Sequence, residues 1–383
     1  MRCLYWRISG FLMFLRPVFV FILLAFTMTL AAPAWAGHGT LKVGFVNPGF
    51  ADKGFWKAVT DVMRAAADNL GADFVVRYGD RQWPLMVKEA ESLIETESDL
   101  DYLILVNEHQ QAPGVLHKAN AKGIKTILLL NTLTVDQQKD LGGARTQFTN
   151  WIGAITPDNE IAGHDIADSV LTAATRAGLA KDGSIDLLTL AGDYSTPASL
   201  QRLDGLQRAL KKHPQARERR RLTVNWSFDE AYKRTGLWLK EANLDAVWAA
   251  NDPIALGAIK AIREAGKVPG KDVFVAGLNW SPEALALVSN GEMELTHGGH
   301  FLAGGWVMVL LYDYHNGADF ADIDTHIRFP MTAINSKNVA AYQASFGDGD
   351  WSKIDFKSFS RAENPGRSAY DFSIQALLAS AKK

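Results

Sequence analysis

The sequence predicts an α/β protein with two parallel sheets, each wound with helices on both faces. Short apolar segments alternate with longer amphipathic segments between residues 41 and 290. The short segments are almost continuously apolar, as at residues 102–106 (YLILV), which is typical of strands buried on both faces of a sheet. The alternation falls into two halves of similar size, and right-handed crossovers make each half a doubly wound sheet.

The first half begins with a strand at 41–46 and an amphipathic helix at 55–70. Trp56 and Val59 recur with helical spacing on one face of that helix, and Gly71 ends it. The pattern then repeats, with strands at 74–77, 102–106, 126–130 and 151–155 and helices at 85–97 and 112–122.

The second half repeats the alternation after residue 160. We expect strands at 184–190, 222–226, 246–249 and 273–276 and helices at 161–177, 197–213, 230–242, 253–265 and 282–290. The basic run 217–221 falls between a helix and a strand and is predicted to be a solvated turn. The segments 134–150 and 343–368 look irregular, and the second is expected to be a tail laid on the surface.

Residues 1–36 have the composition of a secretory signal peptide. Arg2, Arg7 and Arg16 precede an apolar run at 17–32. Ala34-Trp35-Ala36 then forms an A-x-A cleavage site. The alternative is an uncleaved membrane anchor, but the run is shorter than the ~20 residues that a spanning helix needs. We therefore expect cleavage after Ala36 and a soluble protein outside the cytoplasm, in the periplasm.

Composition excludes several classes of protein. The chain of 383 residues carries 40 Lys and Arg against 42 Asp and Glu, so no basic excess points to a nucleic-acid partner. Its single cysteine excludes a disulfide scaffold and a thiolate metal cluster. The sequence has no G-x-S-x-G, H-E-x-x-H, Walker or C-x-x-C motif and no G-x-G-x-x-G after a strand, so we predict neither a cofactor nor a metal site.

Two histidines need separate treatment. His297 and His300 are three residues apart, where a strand breaks into glycines. A metal-binding pair is one interpretation. The alternatives that we favour are a loop position for His297 and a hydrogen-bonding role in a cleft for His300.

Ligands of open α/β sheets bind beyond the carboxyl ends of the strands, so the residues that follow each strand matter most. Thr196, Asp252 and Ser281 each stand directly before a proline at a predicted helix start. Each is predicted to be the cap of that helix. Asn251 precedes such a cap and has no capping role to explain it. Flat aromatic faces and planar amide or guanidinium groups suit a small hydroxylated ligand.

Several motifs, in their order and spacing, resemble one family over residues 41–342. They are GFW at 54–56, DYLIL at 101–105, ITPDN at 155–159, QRLDG at 201–205, AND at 250–252 and AGLN at 276–279. Together they resemble the type I periplasmic binding proteins, in the ribose-binding and autoinducer-2 receptor-like group.

The resemblance implies two lobes joined by a three-strand hinge, with a ligand between them. Chain crossings are then expected near 156–158, 299–301 and 328–331. The expected N-terminal lobe comprises 37–157 plus 300–329, the C-terminal lobe 158–299 plus 330–360, and the tail 361–383. The helical pattern at 304–316 would thus return to the first lobe.

The resemblance also implies a set of ligand-binding positions. Phe55 and Trp56 match a ring-stacking pair, and Arg202 matches an arginine that hydrogen-bonds sugar oxygens. The full predicted set is Lys53, Phe55, Trp56, Asn131, Arg202, Phe228, Asn251, Asn279 and His300.

Some of these positions differ from the sugar-binding members. Asn131-Thr132 stands where sugar binders often carry Asp-Arg, and Asn279 stands where they usually carry aspartate. Lys53 replaces a small polar residue, and Gly299 a long polar side chain. Fewer acceptors and an added cation weaken the case for a plain pentose or hexose.

The leading hypothesis is a non-enzymatic, monomeric periplasmic receptor that delivers a small hydroxylated, sugar-like ligand to a membrane ABC permease. A ligand-sensing receptor coupled to a membrane histidine kinase is the alternative. An exported enzyme is less well supported because no nucleophile–base set is recognisable. A ligand-free structural partner of a sensor is a further possibility.

Overall fold

A computed structural model describes residues 40–180 and 182–380. The expected signal peptide and its cleavage site lie outside these residues. The strands are β1 (Lys42–Asn47), β2 (Asp73–Tyr78), β3 (Tyr102–Leu105), β4 (Lys125–Leu129), β5 (Trp151–Pro157), β6 (Ile185–Ala191), β7 (Ala216–Thr223), β8 (Ala246–Ala249), β9 (Phe274–Leu278), β10 (Leu295–Gly298), β11 (His326–Phe329) and β12 (Thr332–Asn335).

The helices alternate with these strands over most of the chain. They are α1 (Gly54–Leu70), α2 (Trp83–Thr96), α3 (Ala112–Ala121), α4 (Val135–Leu141), α5 (Asn159–Arg176), α6 (Pro197–Lys212), α7 (Phe228–Glu241), α8 (Asp252–Glu264), α9 (Pro282–Ser289), α10 (Ala303–His315), α11 (Val339–Phe346) and α12 (Ile374–Ser380). A search of the described residues for a helix of membrane-spanning length and hydropathy finds none.

The strands form two six-stranded sheets, and this confirms the predicted fold class. The first sheet has the order β11-β5-β4-β3-β1-β2, and its neighbouring strands all run parallel. The second has the order β12-β10-β9-β8-β6-β7 and is parallel except for the pair of β10 with β12. We call the first sheet, together with the helices packed on it, the first lobe. The second sheet with its helices is the second lobe.

The chain passes between the lobes at the three places that the predicted hinge requires. After β5 it enters α5, which packs on β8, β9 and β10 of the second lobe. After β10 it returns to α10, which packs on α1 of the first lobe. Between β11 and β12 it crosses again, because these neighbouring strands belong to different sheets.

A fourth passage follows α11 and corrects the expected lobe boundary. Helix α11 packs on α9 of the second lobe, but the 3₁₀ turns Trp351–Lys353 and Phe356–Phe359 pack on α1 of the first. Residues 351–359 therefore do not belong to the second lobe, where the sequence placed all of 330–360. The expected surface tail is also wrong here, since the side chains of Phe356 and Phe359 are buried.

The C-terminal segment is held on α10 by one buried carboxylate. Asp313 accepts hydrogen bonds from the backbone N–H of Arg361 at 2.7 Å and from the hydroxyl of Tyr370 at 2.9 Å. On the same helix, the ring of Trp306 stacks on Phe372 with centroids 4.8 Å apart. These contacts explain why the C-terminal segment, although polar in sequence, packs closely on the first lobe.

Two local predictions were wrong for reasons of tertiary context. The basic run belongs to β7, the edge strand of the second sheet, rather than to a turn. Charged side chains are compatible with an edge strand because one side of it faces solvent, and they discourage further pairing. The segment predicted to be irregular at 134–150 contains α4, which starts with a capping box of Thr134 and Gln137.

Candidate functional site

A cavity of about 660 Å³ lies between the lobes, at the carboxyl ends of both sheets. Its size is within the range of small-molecule sites in proteins. Every ligand-binding residue predicted from the sequence lines it: Lys53, Phe55, Trp56, Asn131, Arg202, Phe228, Asn251, Asn279 and His300. Residues that are far apart in the sequence thus converge on one space.

The first lobe contributes a wall of rings at the start of α1. The rings of Phe55 and Trp56 meet edge to face with centroids 5.2 Å apart. Phe55 also stacks on the imidazole of His300 at 4.3 Å and an interplanar angle of 19°. Gly54 has a φ of 74°, a conformation that glycine adopts without strain, so the backbone can turn directly into the helix.

A buried asparagine holds the loop that precedes these rings. The side-chain amide of Asn47 donates to the carbonyl of Trp56 at 2.9 Å and to the hydroxyl of Thr60 at 2.7 Å. Its Oδ1 accepts from the backbone N–H of Gly49 at 2.7 Å. Sequence reasoning did not select Asn47, although it directly follows the strand predicted at 41–46.

Asn131 connects the two lobes across the cavity. Its Oδ1 accepts a hydrogen bond of 3.1 Å from the backbone N–H of Ala198, in the first turn of α6. Gln110 of the first lobe also donates to the carbonyl of Ser195 at 3.4 Å. The polar side chain predicted for ligand contact therefore satisfies a free N–H group of the opposite lobe as well.

Arg202 is the buried cation of the cavity. Its Nε donates to Oδ1 of Asn159 at 3.0 Å, and its Nη1 donates to the carbonyl of Ala250 at 2.8 Å. The guanidinium carbon lies 5.6 Å from the ring centre of Trp226. No carboxylate in the described chain lies within ion-pair distance of it, and burial lowers the pKa of Arg202 to about 9.

Two glycines set the position of Arg202 through the close contact of α5 with α6. A Cβ at Gly163 would lie 2.0 Å from the carbonyl oxygen of Arg202 itself. A Cβ at Gly205 would lie 2.0 Å from the carbonyl oxygen of Glu160. The helices can approach this closely only because both positions lack a side chain.

Asn251 lines the cavity, but it also has the capping role that the sequence analysis denied it. Its Oδ1 accepts a hydrogen bond of 3.0 Å from the backbone N–H of Ile254, which makes it the N-cap of α8. The residue expected to be the cap, Asp252, is the first residue of the helix. The Nδ2 of Asn251 makes no hydrogen bond within the described residues and can serve a ligand.

Asp252 is fully buried behind the cavity. Its carboxylate accepts hydrogen bonds from the backbone N–H of Ser281 at 2.9 Å and from the hydroxyl of Thr296 at 2.8 Å. Burial outweighs these bonds and raises the pKa of Asp252 to about 6. Ser281 caps α9, as predicted, by accepting from the N–H of Ala284 at 3.3 Å.

His300 is 4% exposed, and its Nδ1 has no partner among the described residues. Burial holds the pKa of His300 well below its usual value, so the ring is neutral. His297, expected in a loop, is instead buried in β10 with its Nε2 3.4 Å from Asp165. Over residues 40–180 and 182–380, no cluster of side chains could hold a metal ion.

Several cavity residues were missed by sequence reasoning. Arg81 and Glu108 line the first-lobe side and form an ion pair of 2.8 Å. Trp226 lines the second-lobe side but was predicted to be the last residue of the strand at 222–226. Asn159 lies within a quoted motif, yet its contact with Arg202 joins two helices and leaves no local signal.

Comparison with known proteins places these features in context. A family model described as a periplasmic binding protein domain matches residues 43–319. The galactofuranose-binding protein YtfQ of Escherichia coli is 25% identical over 278 residues, which are 70% of this chain and 80% of that protein. The ribose import binding protein RbsB of Salmonella typhimurium is 26% identical over 251 residues, which are 63% and 74% of the two chains.

Solved structures agree with this assignment of the fold. A periplasmic sugar-binding protein from Pseudomonas fluorescens superposes with a TM-score of 0.78 and 33% identity, covering 88% of this chain and 99% of that one. A galactofuranose-binding protein superposes with a TM-score of 0.68 and 20% identity, covering 80% and 99%, a likeness in fold alone. The relatives named here are binding proteins.

Proposed function

Because this chain belongs to the periplasmic binding protein family, we propose that it captures a small hydroxylated, sugar-like ligand in the cavity between its lobes. The ligand is bound without chemical change and is handed to an ABC permease in the membrane. The chain acts as a monomer in the periplasm after removal of residues 1–36. No cofactor takes part.

The observation that supports this proposal most directly is the make-up of the cavity wall. The first lobe offers the flat faces of Phe55 and Trp56, and the second lobe offers Arg202 and the free amide of Asn251. Aromatic rings cover the apolar face of a sugar ring, while amide and guanidinium groups bond its hydroxyls in pairs. Residues of both lobes therefore contribute to one binding surface.

The same arrangement explains how binding would be signalled to a membrane partner. A ligand held by both lobes binds the closed arrangement better than the open one and therefore shifts the population towards it. The hydrogen bonds from the backbone N–H of Ala198 to Asn131 and from the side-chain amide of Gln110 to the carbonyl of Ser195 join the two lobes and would stabilise the closed arrangement. The permease would then recognise the rims of the two lobes held together.

Uptake is favoured over signalling by the functions of two relatives. The ribose relative of Salmonella typhimurium and the apiose relative of Actinobacillus succinogenes are both named import binding proteins. Growth on the identified ligand should therefore require this protein and a permease. A ligand that changes gene expression but is never accumulated would favour the sensor-kinase alternative.

The experiment that tests the proposal starts from the protein purified from the periplasm. Mass spectrometry of the denatured sample should reveal a copurified small hydroxylated compound. A thermal-shift screen of neutral sugars and sugar acids should then raise the midpoint of unfolding, because a ligand that binds only the folded state stabilises it by mass action. The compound should be recovered unchanged after incubation. A sample with no bound compound and no response to either class would overturn the proposal.

A further inference from the structure

The charged groups of the cavity do not balance. The charged side chains that line it are Lys53, Arg81, Glu108, Arg202 and Asp229. Arg81 and Glu108 neutralise each other in their ion pair of 2.8 Å. Asp229 is exposed to solvent, whereas Arg202 is 4% exposed. The buried part of the cavity therefore carries a net positive charge.

Arg202 has unused capacity to bind a ligand. Its hydrogen bonds go to two neutral oxygens, those of Asn159 and Ala250, and its Nη2 donates to no described residue. An unpaired charge that is removed from water is costly for a protein to hold. A negatively charged group bound beside Arg202 would offset that cost.

The acid that acts electrostatically on this cation does not pair with it. Asp252 is fully buried and acts on Arg202 at long range, but it forms no ion pair with it. Its two oxygens already accept hydrogen bonds from Ser281 and Thr296. Its pKa, raised to about 6 by burial, leaves part of the population uncharged near neutral pH.

Two other features of the cavity wall also favour a negatively charged ligand. Residues of the first turns of α1, α6, α7 and α8 line the cavity, so the positive ends of these helix dipoles lie beside it. The amides of Asn131 and Asn279 contribute no negative charge. Lys53, stacked 4.6 Å from the ring centre of Phe50, adds a cation at the rim.

From these observations we propose that the ligand is a sugar acid, a polyhydroxylated compound whose carboxylate is bound by Arg202. The proposal rests on the proposed function and narrows it to an anionic substrate class. A guanidinium presents a planar fork that matches a carboxylate in geometry as well as in charge. The ring wall of Phe55 and Trp56 would cover the remainder of the molecule.

The test uses matched pairs of a neutral sugar and its acid, added to the mature protein freed of bound ligand. Galactose with galacturonate, glucose with glucuronate, and ribose with ribonate are suitable probes. We expect at least one acid to bind about tenfold to a hundredfold more tightly than its neutral partner in calorimetry, the range for hydrogen bonds to a charged group. This preference should shrink at high salt.

A nearly isosteric variant tests the electrostatic origin of the preference without disturbing the fold. Asn279→Asp places a negative charge in the cavity at a side chain with no hydrogen bond to a described residue. It should lower the ratio of acid to neutral affinity by about tenfold or more. Asn69→Asp, at the other end of α1, keeps the Oδ1 that accepts from Lys357 and should leave the ratio unchanged.

Each result has a distinct meaning. Tighter binding of acids, with the ratio reduced in Asn279→Asp only, supports the proposal. Tighter or equal binding of the neutral partners overturns it and leaves the proposed function standing. Stronger binding of glucose 6-phosphate than of glucuronate overturns the carboxylate assignment. The absence of binding in both classes overturns the proposed function together with this inference.

Discussion

The two lobes share one sheet architecture but face the cavity with different chemistry. The first lobe presents rings, because Phe55, Trp56 and His300 pack against one another where α1 begins. The second lobe adds polar groups to the rings of Trp226 and Phe228, because Arg202 and the N-termini of α6, α7 and α8 meet there. We infer that shape is read mainly by the first lobe and charge and hydrogen bonding mainly by the second.

The lobes also differ in how their cavity residues are held. The rings of Phe55 and Trp56 in the first lobe lie on one short segment, which is fixed by the hydrogen bonds of Asn47. Arg202 depends on the contact of α5 with α6 and on Asn159, which are distant in the sequence. Substitutions outside the cavity should therefore weaken the second lobe's contribution to ligand affinity more than the first lobe's contribution.

The largest effect on binding is expected from Arg202→Ala in the second lobe. Removal of the buried guanidinium should weaken ligand binding by about 1.5–3 kcal/mol, the range for hydrogen bonds to charged groups. Calorimetry with the ligand identified by mass spectrometry measures the loss. Arg208→Ala, on the same helix but in an ion pair with Glu160 of 3.2 Å, should leave affinity unchanged. Equal affinity of Arg202→Ala and the wild type would remove Arg202 from the site.

Gly205→Ala, which lies outside the cavity, should disturb the contact of α5 with α6 that positions Arg202 in the second lobe. The new Cβ would lie 2.0 Å from the carbonyl oxygen of Glu160, and such overpacking costs about 1–3 kcal/mol in the free energy of unfolding. Denaturant unfolding measures this loss. Gly236→Ala is the matched control, because its Cβ would meet only Ala261 at 3.9 Å and should stabilise α7 by up to about 1 kcal/mol. A Gly205→Ala protein as stable as Gly236→Ala would contradict the close helix contact.

The first lobe should show a specific sensitivity to acid through His300. Because burial keeps the folded-state pKa of His300 below its usual 6.5, its contribution to stability is present above pH 6.5 and is lost as the pH falls. At pH 5.5 the protein should therefore be less stable than at pH 7.5, by roughly 1 kcal/mol.

Urea unfolding of the ligand-free protein at both pH values checks this expectation. His300→Phe retains a ring against Phe55 and removes the titrating group, so it should lose less stability between the two pH values than the wild type does. The same comparison subtracts the contribution of His326, whose pKa is also lowered by burial. An equal loss in both proteins would exclude His300 as the source.

The smallest effect is expected from Phe55→Leu, which tests the first lobe's share of recognition. Leucine keeps an apolar side chain at the start of α1 but removes the stacking face, so affinity should fall by about 0.5–1.5 kcal/mol. Phe74→Leu, in β2 and beneath Arg64, changes a half-buried ring outside the cavity and should not alter affinity. If Phe55→Leu weakened binding more than Arg202→Ala, the proposed division between the lobes would be reversed.

The sequence allowed much of the fold to be predicted because strand and helix periodicity is local. The strand predicted at 246–249 coincides with β8, and the helix predicted at 55–70 agrees with α1 within one residue at its start. The edge strand β7 was misplaced because its solvent-facing arginines carry no apolar signal. The C-terminal segment was misread because Phe356 and Phe359 are sparse apolar residues in a polar stretch.

Most candidate site residues were predicted from the family resemblance, and Asn251 also from its position after a strand, because parallel strands end at one edge of a sheet. The roles of Asn251 and Asn131 could not be predicted in the same way. Capping by Asn251 depends on where α8 begins, a matter of one residue. The contact of Asn131 with Ala198 depends on how the two lobes are placed.

The sequence by itself determined the alternation of strands and helices, the division into two sheets and the identity of the polar groups at the strand ends. Each of these depends on the periodicity and chemistry of short segments. Only the tertiary structure decided that Arg202 is buried with no acidic partner in the described part of the chain, since that depends on which distant side chains approach it. It also decided that the chain returns to the first lobe after α11, because a few buried aromatic contacts outweigh a polar composition there.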